Sequence, residues 1–531
     1  MARRSWSQTH LTAVLRLGLA LSAVCLFAAA PGGNIGEFIY IQNLAHDSVV
    51  VAWGGPGRGG DNTIGESSPP VGAAELSIFY RSNGRQVPGS PFTTSERNWI
   101  EASLPEPGTE YGYQLRVNGR DWGDALYREE GLLYFRTAPG PADPSGRLAF
   151  LVLGDFGTGS EKQYRLAESM RHVVEEQELA GNPIRFVLST GDNLYDFFLF
   201  VATGSDDKGF YEKFFIPYQR LLSRIPFFPS LGNHDGSESE SASDLAHYRD
   251  NFFLPRAVLG NGTPSRFEDR FYGVSHGKDV RLICLDTTTN RETIAGLTWQ
   301  PLYGGGGSSE QRRWLGAELE RAKGALWKIA WFHHPPFNAG RSHYGPRSKD
   351  ENLQELERDL VPLLAEGDVR VVFSGHVHNF QITREETEGS LKQTRYLVTG
   401  AGGKDERGRE GTSGLEILRR ERMEATNAVS LPHFLLIEIE GDRMEVTPLT
   451  YVRAATFRCP WRFGPQKTSF TPGTVNRYPA EGRATVRVTG RAVPTTPSPS
   501  GLGRGSYPPS SETAQSISSR TSLFSSRFKR L

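Results

Sequence analysis

The sequence predicts a multidomain chain, an all-β sandwich followed by an α/β layered domain, and three patterns carry that prediction. From about Gly36 to Ala138, short apolar and β-branched runs recur between clusters of Gly, Pro, Asn and Ser, as in a sandwich. From Arg147 to about Tyr451, apolar runs alternate with amphipathic helical segments, the mark of α/β layers. In that second region metal-binding side chains stand at the ends of apolar runs, in Gly154-Asp155-Phe156-Gly157, Gly191-Asp192-Asn193-Leu194-Tyr195, Gly232-Asn233-His234-Asp235, His333-His334-Pro335-Pro336 and Gly375-His376-Val377-His378. The length of 531 residues suits about two to four domains. Formal net charge is zero, which offers no electrostatic argument for a nucleic-acid scaffold or an anionic membrane surface.

The chain opens with Arg3 and Arg4, an apolar stretch from Leu15 to Ala30, and then Pro31-Gly32-Gly33. A charged start, a short apolar core and small closing residues predict a signal peptide over 1–30. A membrane span needs roughly 20 apolar residues, so an uncleaved anchor is the competing reading. Leu21 to Cys25 resembles a lipoprotein box, although Val24 is large for that position. The expectation is a secreted or periplasmic protein with no stable membrane span after signal removal.

Within the first domain, taken as 36–138, the strand candidates are Phe38 to Ile41, Val49 to Trp53, Leu76 to Tyr80, Trp99 to Ala102, Tyr111 to Val117 and Leu132 to Phe135. Tyr111 to Val117 alternates with period two, which buries one face. Pro139 to Gly146 reads as a linker. In the second domain, 146–452, Leu148 to Leu153 is a buried strand, Glu161 to Glu178 a helix and Phe186 to Ser189 the next strand. Ile329 to Phe332 and Val369 to Phe373 repeat the design and deliver histidines at their exits. Open α/β sheets place ligands at the C-terminal ends of their strands, so these segments converge on one edge. After about Arg453 the composition turns to Ser, Thr, Pro, Gly and Arg without sustained periodicity, and 453–531 is expected to be largely disordered or a frame-shifted translation. Cys284 lies in an apolar strand and reads as a buried thiol; Cys25, Cys284 and Cys459 make no disulfide framework.

Taken singly, Asp155 or Asp192 also suits a helix cap, Tyr195 suits a core position, and Asn193 reads as a turn residue. Spacing alone leaves His333 and His334 as alternatives. Gly304 to Gly307 and Gly400-Ala401-Gly402-Gly403 lack the lysine and hydroxyl of a phosphate loop; the first reads as a surface loop and the second as a floor for the site.

Together the five segments resemble the purple acid phosphatase branch of the metallophosphoesterases. Leu104-Pro105 through Tyr111, with Trp53, is similar to the tyrosine corner and early tryptophan of a fibronectin type III domain, which often precedes the catalytic domain in this family. The resemblance implies a four-layer α/β domain, a β-sandwich flanked by helices. It implies a binuclear centre with Fe(III) on Asp155, Asp192, Tyr195 and His378, and a divalent ion (iron, zinc or manganese) on Asp192, Asn233, His333 and His376. Donor chemistry agrees, since carboxylate and phenolate suit a hard ion while imidazole and amide oxygen suit a softer one. Asp192 is the expected bridge. By the same resemblance His333 is the ligand, and His334 is left to a supporting role.

The implied reaction is hydrolysis of small phosphate monoesters by a metal-bound hydroxide attacking phosphorus. His234 is the candidate general acid, with Asp235 orienting its ring, and His343 is a candidate substrate contact. Ser342 stands where plant relatives carry a second histidine. A phosphodiesterase or nucleotide-cleaving enzyme is the alternative, and a non-catalytic surface-binding protein the third reading.

Overall fold

The computed structural model describes residues 37–54, 73–123, 125–195, 197–198, 201–202, 207–237, 245–267, 269–288, 293–294, 297–298, 309–337, 352–383, 394–404, 423–424, 432–451, 475–477 and 486–489. The expected signal peptide, His343 and Gly304 to Gly307 lie outside them.

The N-terminal strands are β1 (Phe38–Gln42), β2 (Ser48–Gly54), β3 (Ala74–Tyr80), β4 (Phe92–Thr94), β5 (Trp99–Ser103), β6 (Glu110–Val117), β7 (Arg120–Asp121) and β8 (Tyr134–Arg136). They form two antiparallel sheets, β1-β2-β5 and β4-β3-β6-β7, with β8 on β6. Apolar side chains from both sheets, among them Trp53, Ile78, Tyr111 and Leu115, fill the space between. The Tyr111 hydroxyl donates to the carbonyl of Glu106 at 3.1 Å, closing a corner over the segment that begins at Leu104. Strands β4 and β7 were not anticipated, because runs of two or three residues carry no readable period.

The remaining strands are β9 (Leu148–Leu153), β10 (Ile184–Ser189), the small hairpin β11 (Phe197–Phe198) with β12 (Val201–Ala202), β13 (Phe227–Pro229), β14 (Tyr272–His276), β15 (Val280–Cys284), the small hairpin β16 (Thr293–Ile294) with β17 (Leu297–Thr298), β18 (Trp327–Trp331), β19 (Val371–Ser374), β20 (Phe380–Thr383), β21 (Arg395–Thr399), β22 (Met423–Glu424), β23 (Phe434–Glu440), β24 (Arg443–Tyr451), β25 (Val475–Arg477) and β26 (Val486–Thr489). The larger ones build two seven-stranded sheets. One runs β13-β10-β9-β23-β24-β25, with β26 also on β24; the other runs β14-β15-β18-β19-β21-β20-β22. Strands β13, β10 and β9 are mutually parallel, as are β15, β18, β19 and β21.

Alternation along each strand sets the layers. Leu148, Phe150 and Val152 of β9 face Ile329, Trp331, Val371 and Phe373 of the second sheet, and Cys284 is buried among them. Ala149, Leu151 and Leu153 point the other way, onto helix α1 (Glu161–Leu179). That helix buries Gln163, Leu166, Ala167, Met170, Val173 and Val174, one helical face, and Ser160 caps its start. Ser160 takes the cap position that Asp155 was free to fill. On the far side, Ala330, Phe332 and Val372 pack with Trp314, Leu315 and Leu319 of helix α2 (Glu310–Arg321). The result is helix, sheet, sheet, helix.

The sandwich is welded to these layers. Phe38 of β1 stacks on Phe215 with ring centroids 4.4 Å apart, and the Tyr113 hydroxyl donates to the Ser223 carbonyl at 2.6 Å. The linker is pinned too: Ser145 N donates to Asp279 at 2.9 Å. Two short pieces of 453–531 are strands, since β25 and β26 pair with β24. Val486-Arg487-Val488-Thr489 is an alternating run too short to stand out in the sequence, and the open edge of β24 supplies its partner.

Candidate metal centre

Strands β9, β10, β13, β18 and β19 each deliver one segment of the expected constellation at their exits. Three of its residues, Asp155, Asp192 and His376, have φ of 56°, 48° and 67°. Side chains rarely adopt this left-handed backbone, and it turns the chain sharply so that the side chain folds back over the strand end. Glycines let the loops approach. A Cβ on Gly191, itself at φ 89°, would lie 2.7 Å from His333 Nδ1, and one on Gly375 would press on the Asp155 carboxylate and sit 2.7 Å from the Thr190 carbonyl.

Two clusters of donors result. In the first, Tyr195 Oη is 3.0 Å from Asp155 Oδ1 and 3.3 Å from His378 Nε2, and those two are 3.5 Å apart. In the second, His333 Nε2, His376 Nδ1 and Asn233 Oδ1 lie 2.9, 3.1 and 3.2 Å from one another. Asp192 reaches the second through His333 Nε2 at 3.4 Å, and Asp155, Asp192 and His333 offer donor atoms within 4.8 Å of one another. Ligands about 2.1 Å from a common ion stand about 3.0–3.4 Å apart, so both clusters have the spacing of a coordination shell. The donors fit the expected groups chemically as well, with carboxylate and phenol on one side and two imidazoles with an amide oxygen on the other.

His333 Nδ1 meets the Thr190 carbonyl at 2.9 Å, which places the ring proton on Nδ1 and leaves Nε2 as the donor to a cation. His334 Nδ1 instead meets Thr287 Oγ1 at 3.1 Å. His334 still offers a nitrogen within 4.8 Å of those of His333 and His376, yet only His333 takes part in both metal-competent groups of the described residues.

Asp235 corrects one expectation. Its carboxylate accepts from Asn193 Nδ2 at 2.9 Å, Leu194 N at 3.2 Å and Gly232 N at 2.8 Å, and it does not orient the His234 ring. Residue 235 belongs to a helical turn that begins at Asn233, so its side chain points back beneath the loop. Asn193, expected as a turn residue, is wholly buried and also donates to the Ser230 carbonyl at 2.9 Å. These two residues lock the β10 and β13 exits together. The third tie comes from after β21, where Gly403 N and Lys404 N both donate to the Asp155 carbonyl at 3.0 Å. Lys404 Nζ sits 4.7 Å from the centre of the Tyr195 ring. Thr190, Thr287 and Lys404 escaped the sequence reading, because a carbonyl contact or a ring contact leaves no motif.

Burial governs the protonation states. It raises the Tyr195 phenol well above its ordinary range, aided by Asp155 and Asp192, so the metal-free chain keeps the phenol protonated. A cation in the first cluster would reverse that. Burial also lowers His234 and His333, against the pull of Asp192. For Asp192 burial works upward, but His333 and His234 outweigh it and hold the carboxylate below its usual range. Asp235 is pushed up to about 8 by burial and by Asp192.

Residues 148–380 match the Calcineurin-like phosphoesterase family. The affinity of this chain is with the metallophosphoesterase superfamily. Purple acid phosphatase 4 of Arabidopsis thaliana is 29% identical over 273 residues, 50% of this chain and 71% of the relative. Among solved structures, PhoD superposes with a TM-score of 0.58 at 13% identity, covering 86% of this chain and 91% of that one. Purple acid phosphatase PPD1 from yellow lupin (Lupinus luteus) seeds gives 0.54 at 17% identity, covering 78% and 72%. At those identities both structures bear on the fold alone. The metallophosphoesterase layers thus carry two candidate clusters at the strand exits, as a binuclear centre requires.

Proposed function

We propose that this chain is an acid phosphatase, a binuclear-metal hydrolase of small phosphate monoesters acting outside the cytoplasm. One observation carries the reading: two donor clusters, each with coordination-shell spacing, flank the single carboxylate of Asp192. Asp155, Asp192, Tyr195 and His378 would hold Fe(III), and Asp192, Asn233, His333 and His376 a divalent iron, zinc or manganese ion. Bound there, the ions supply Lewis-acid polarisation of a phosphoryl oxygen and lower the pKa of a water. The phenol of Tyr195 favours the purple branch over a general phosphoesterase, and the named Arabidopsis relative supports it.

The chain's own residues do the rest. Thr190 fixes the His333 tautomer through its carbonyl. His234, hinged by its backbone N–H on Asp192 Oδ1 at 2.8 Å and half-buried beside the centre, is the proton donor to the leaving oxygen. Its lowered pKa restricts the protonated form to acidic solution. His343 belongs to the reading as a substrate contact. The N-terminal sandwich is read as fibronectin type III-like, on its tyrosine corner and its buried Trp53.

Elemental analysis, a visible spectrum and parallel assays on p-nitrophenyl phosphate and bis(p-nitrophenyl) phosphate test this. Metal-dependent monoester turnover is expected. Diester turnover alone would hand the site to the phosphodiesterase reading, and full metal content with neither activity would leave a binding protein.

A further inference from the structure

A second charged site lies at the other end of β10, at the seam between the sandwich and the α/β layers. A cavity of about 190 Å³ opens there, with Glu110, Tyr134, Arg136, Glu178, Arg185 and Arg224 as its polar lining. The charges on this lining do not cancel. Arg224 donates to Glu178 at 2.9 Å and to the Tyr134 hydroxyl at 2.7 Å, and that hydroxyl donates to Glu178 at 2.6 Å. Glu110 is held by Arg81 at 2.8 Å. Glu178 is thus neutralised by Arg224 within the lining, and Glu110, shared with Arg81, offsets part of the charge on Arg185, which leaves the lining with one positive charge in excess.

Among the described residues, Arg136 and Arg185 hydrogen-bond to carbonyl groups and form no ion pair within 4 Å. Arg136 Nε donates to Gly108 O at 2.9 Å, and Arg185 Nη2 donates to Arg136 O at 3.0 Å and Thr137 O at 2.7 Å. Carbonyls satisfy N–H groups but do not neutralise a guanidinium, which carries five donors and keeps its charge in proteins. Burial and the neighbouring Arg136 push Arg185 down to about 10. His276, buried behind them, is pushed down to about 3 by burial and by both arginines. Arg185, withdrawn from water and close to the exposed Arg136, carries an electrostatic cost that an anion in the cavity would offset.

We propose that this cavity binds a phosphate-class oxyanion, gripped by Arg136 of β8 and Arg185 of β10. Guanidinium forks match tetrahedral oxyanions in bidentate geometry. A water occupies about 30 Å³ in the liquid, so the cavity has room for one such anion with residual solvent. The site is distinct from the metal centre, because Arg185 lies near the start of β10 and Asp192 follows its far end, about 13 Å along the strand at roughly 3.3 Å per residue. An anion here bridges a strand of the sandwich to a strand that carries the metal centre, so phosphate clamps the two together.

The test uses the full chain with inorganic phosphate as probe. Calorimetric titration counts binding equivalents, and thermal melts compare phosphate with chloride at equal ionic strength. The unmodified protein is expected to melt higher in phosphate and to bind one equivalent that depends on the seam arginines. Arg185→Gln and Arg136→Gln should each weaken that equivalent at least tenfold and shrink the phosphate-dependent rise in Tm, while phosphate-ester turnover without added phosphate stays unchanged. Arg136 is exposed, so its variant remains informative should Arg185→Gln misfold. Unchanged stoichiometry and an unchanged rise in Tm in the folded variants overturn the proposal. The arginine-dependent equivalent does not require metal, so it stands or falls apart from the phosphatase reading.

Discussion

Replacing Asp192 by asparagine probes the metal centre with little disturbance to the metal-free fold. Asp192 is only 1% exposed, its Oδ1 accepts the His234 N–H at 2.8 Å, and it lies 3.4 Å from His333 Nε2. Asparagine has the same volume, tolerates the left-handed backbone at φ 48°, and keeps an acceptor for that N–H. Metal-free stability should therefore change by about 1 kcal/mol or less. What disappears is the charge of the carboxylate that the reading places between the two donor clusters. Where this weakens metal affinity 100-fold, the linked stabilisation falls by about 2.7 kcal/mol per ion. Urea unfolding with and without added iron and zinc, at constant slope, reads that loss, and elemental analysis after dialysis counts the ions. The expected variant retains less than one ion and most of its metal-free stability. A variant that keeps both ions and the whole metal-linked gain would refute the bridging role.

Four further outcomes are expected. Tyr195→Phe should abolish any phenolate-to-iron absorption and cost about 1.5–3 kcal/mol through the lost bond to Asp155, and an unchanged visible spectrum rules the phenol out as a ligand. His234→Ala should depress turnover while leaving metal content nearly intact, since its ring is in neither donor cluster; undiminished turnover moves the proton transfer to another group. His276 titrates at about 3 in the folded chain against an ordinary 6.5, so the unfolded chain binds the extra proton between those values and stability falls on acidification. That contribution is about 2.7 kcal/mol lost between neutral pH and pH 4.5. Urea unfolding at both values should show a smaller acid loss in His276→Gln, and an equal loss dismisses the assignment. Phe215→Ala removes the ring stacked on Phe38 and should cost about 3–5 kcal/mol. A cost below about 1 kcal/mol in chemical denaturation would mean that the seam contributes little.

The layered fold was legible where side-chain periodicity is strong. Leu148 to Leu153 and α1 lie within a residue of their expected bounds, since a fully apolar strand and a helix with one buried face have few alternatives. Elements whose partners are remote were not legible. Strands β25 and β26 exist as pairings to β24, and β4 and β7 are too short to show a period. Inside the site the same division holds. The candidate donors were readable from their motifs, whereas the carboxylate of Asp235 serves Asn193, Leu194 and Gly232, because backbone direction after Asn233 decides which way it faces.

The order of residues along the chain was enough to name candidate donors and to put them at strand exits, because metal chemistry demands particular side-chain types and strand periodicity is local. That His333, and not His334, takes part in both metal-competent groups of the described residues depended on where Asp155 and Asp192, distant in sequence, come to lie. The paired arginines of the seam were equally invisible, since Arg136 and Arg185 meet only when the sandwich closes on β10. Electrostatic cost and coordination geometry are set by distances in space, and those exist only once the chain has folded.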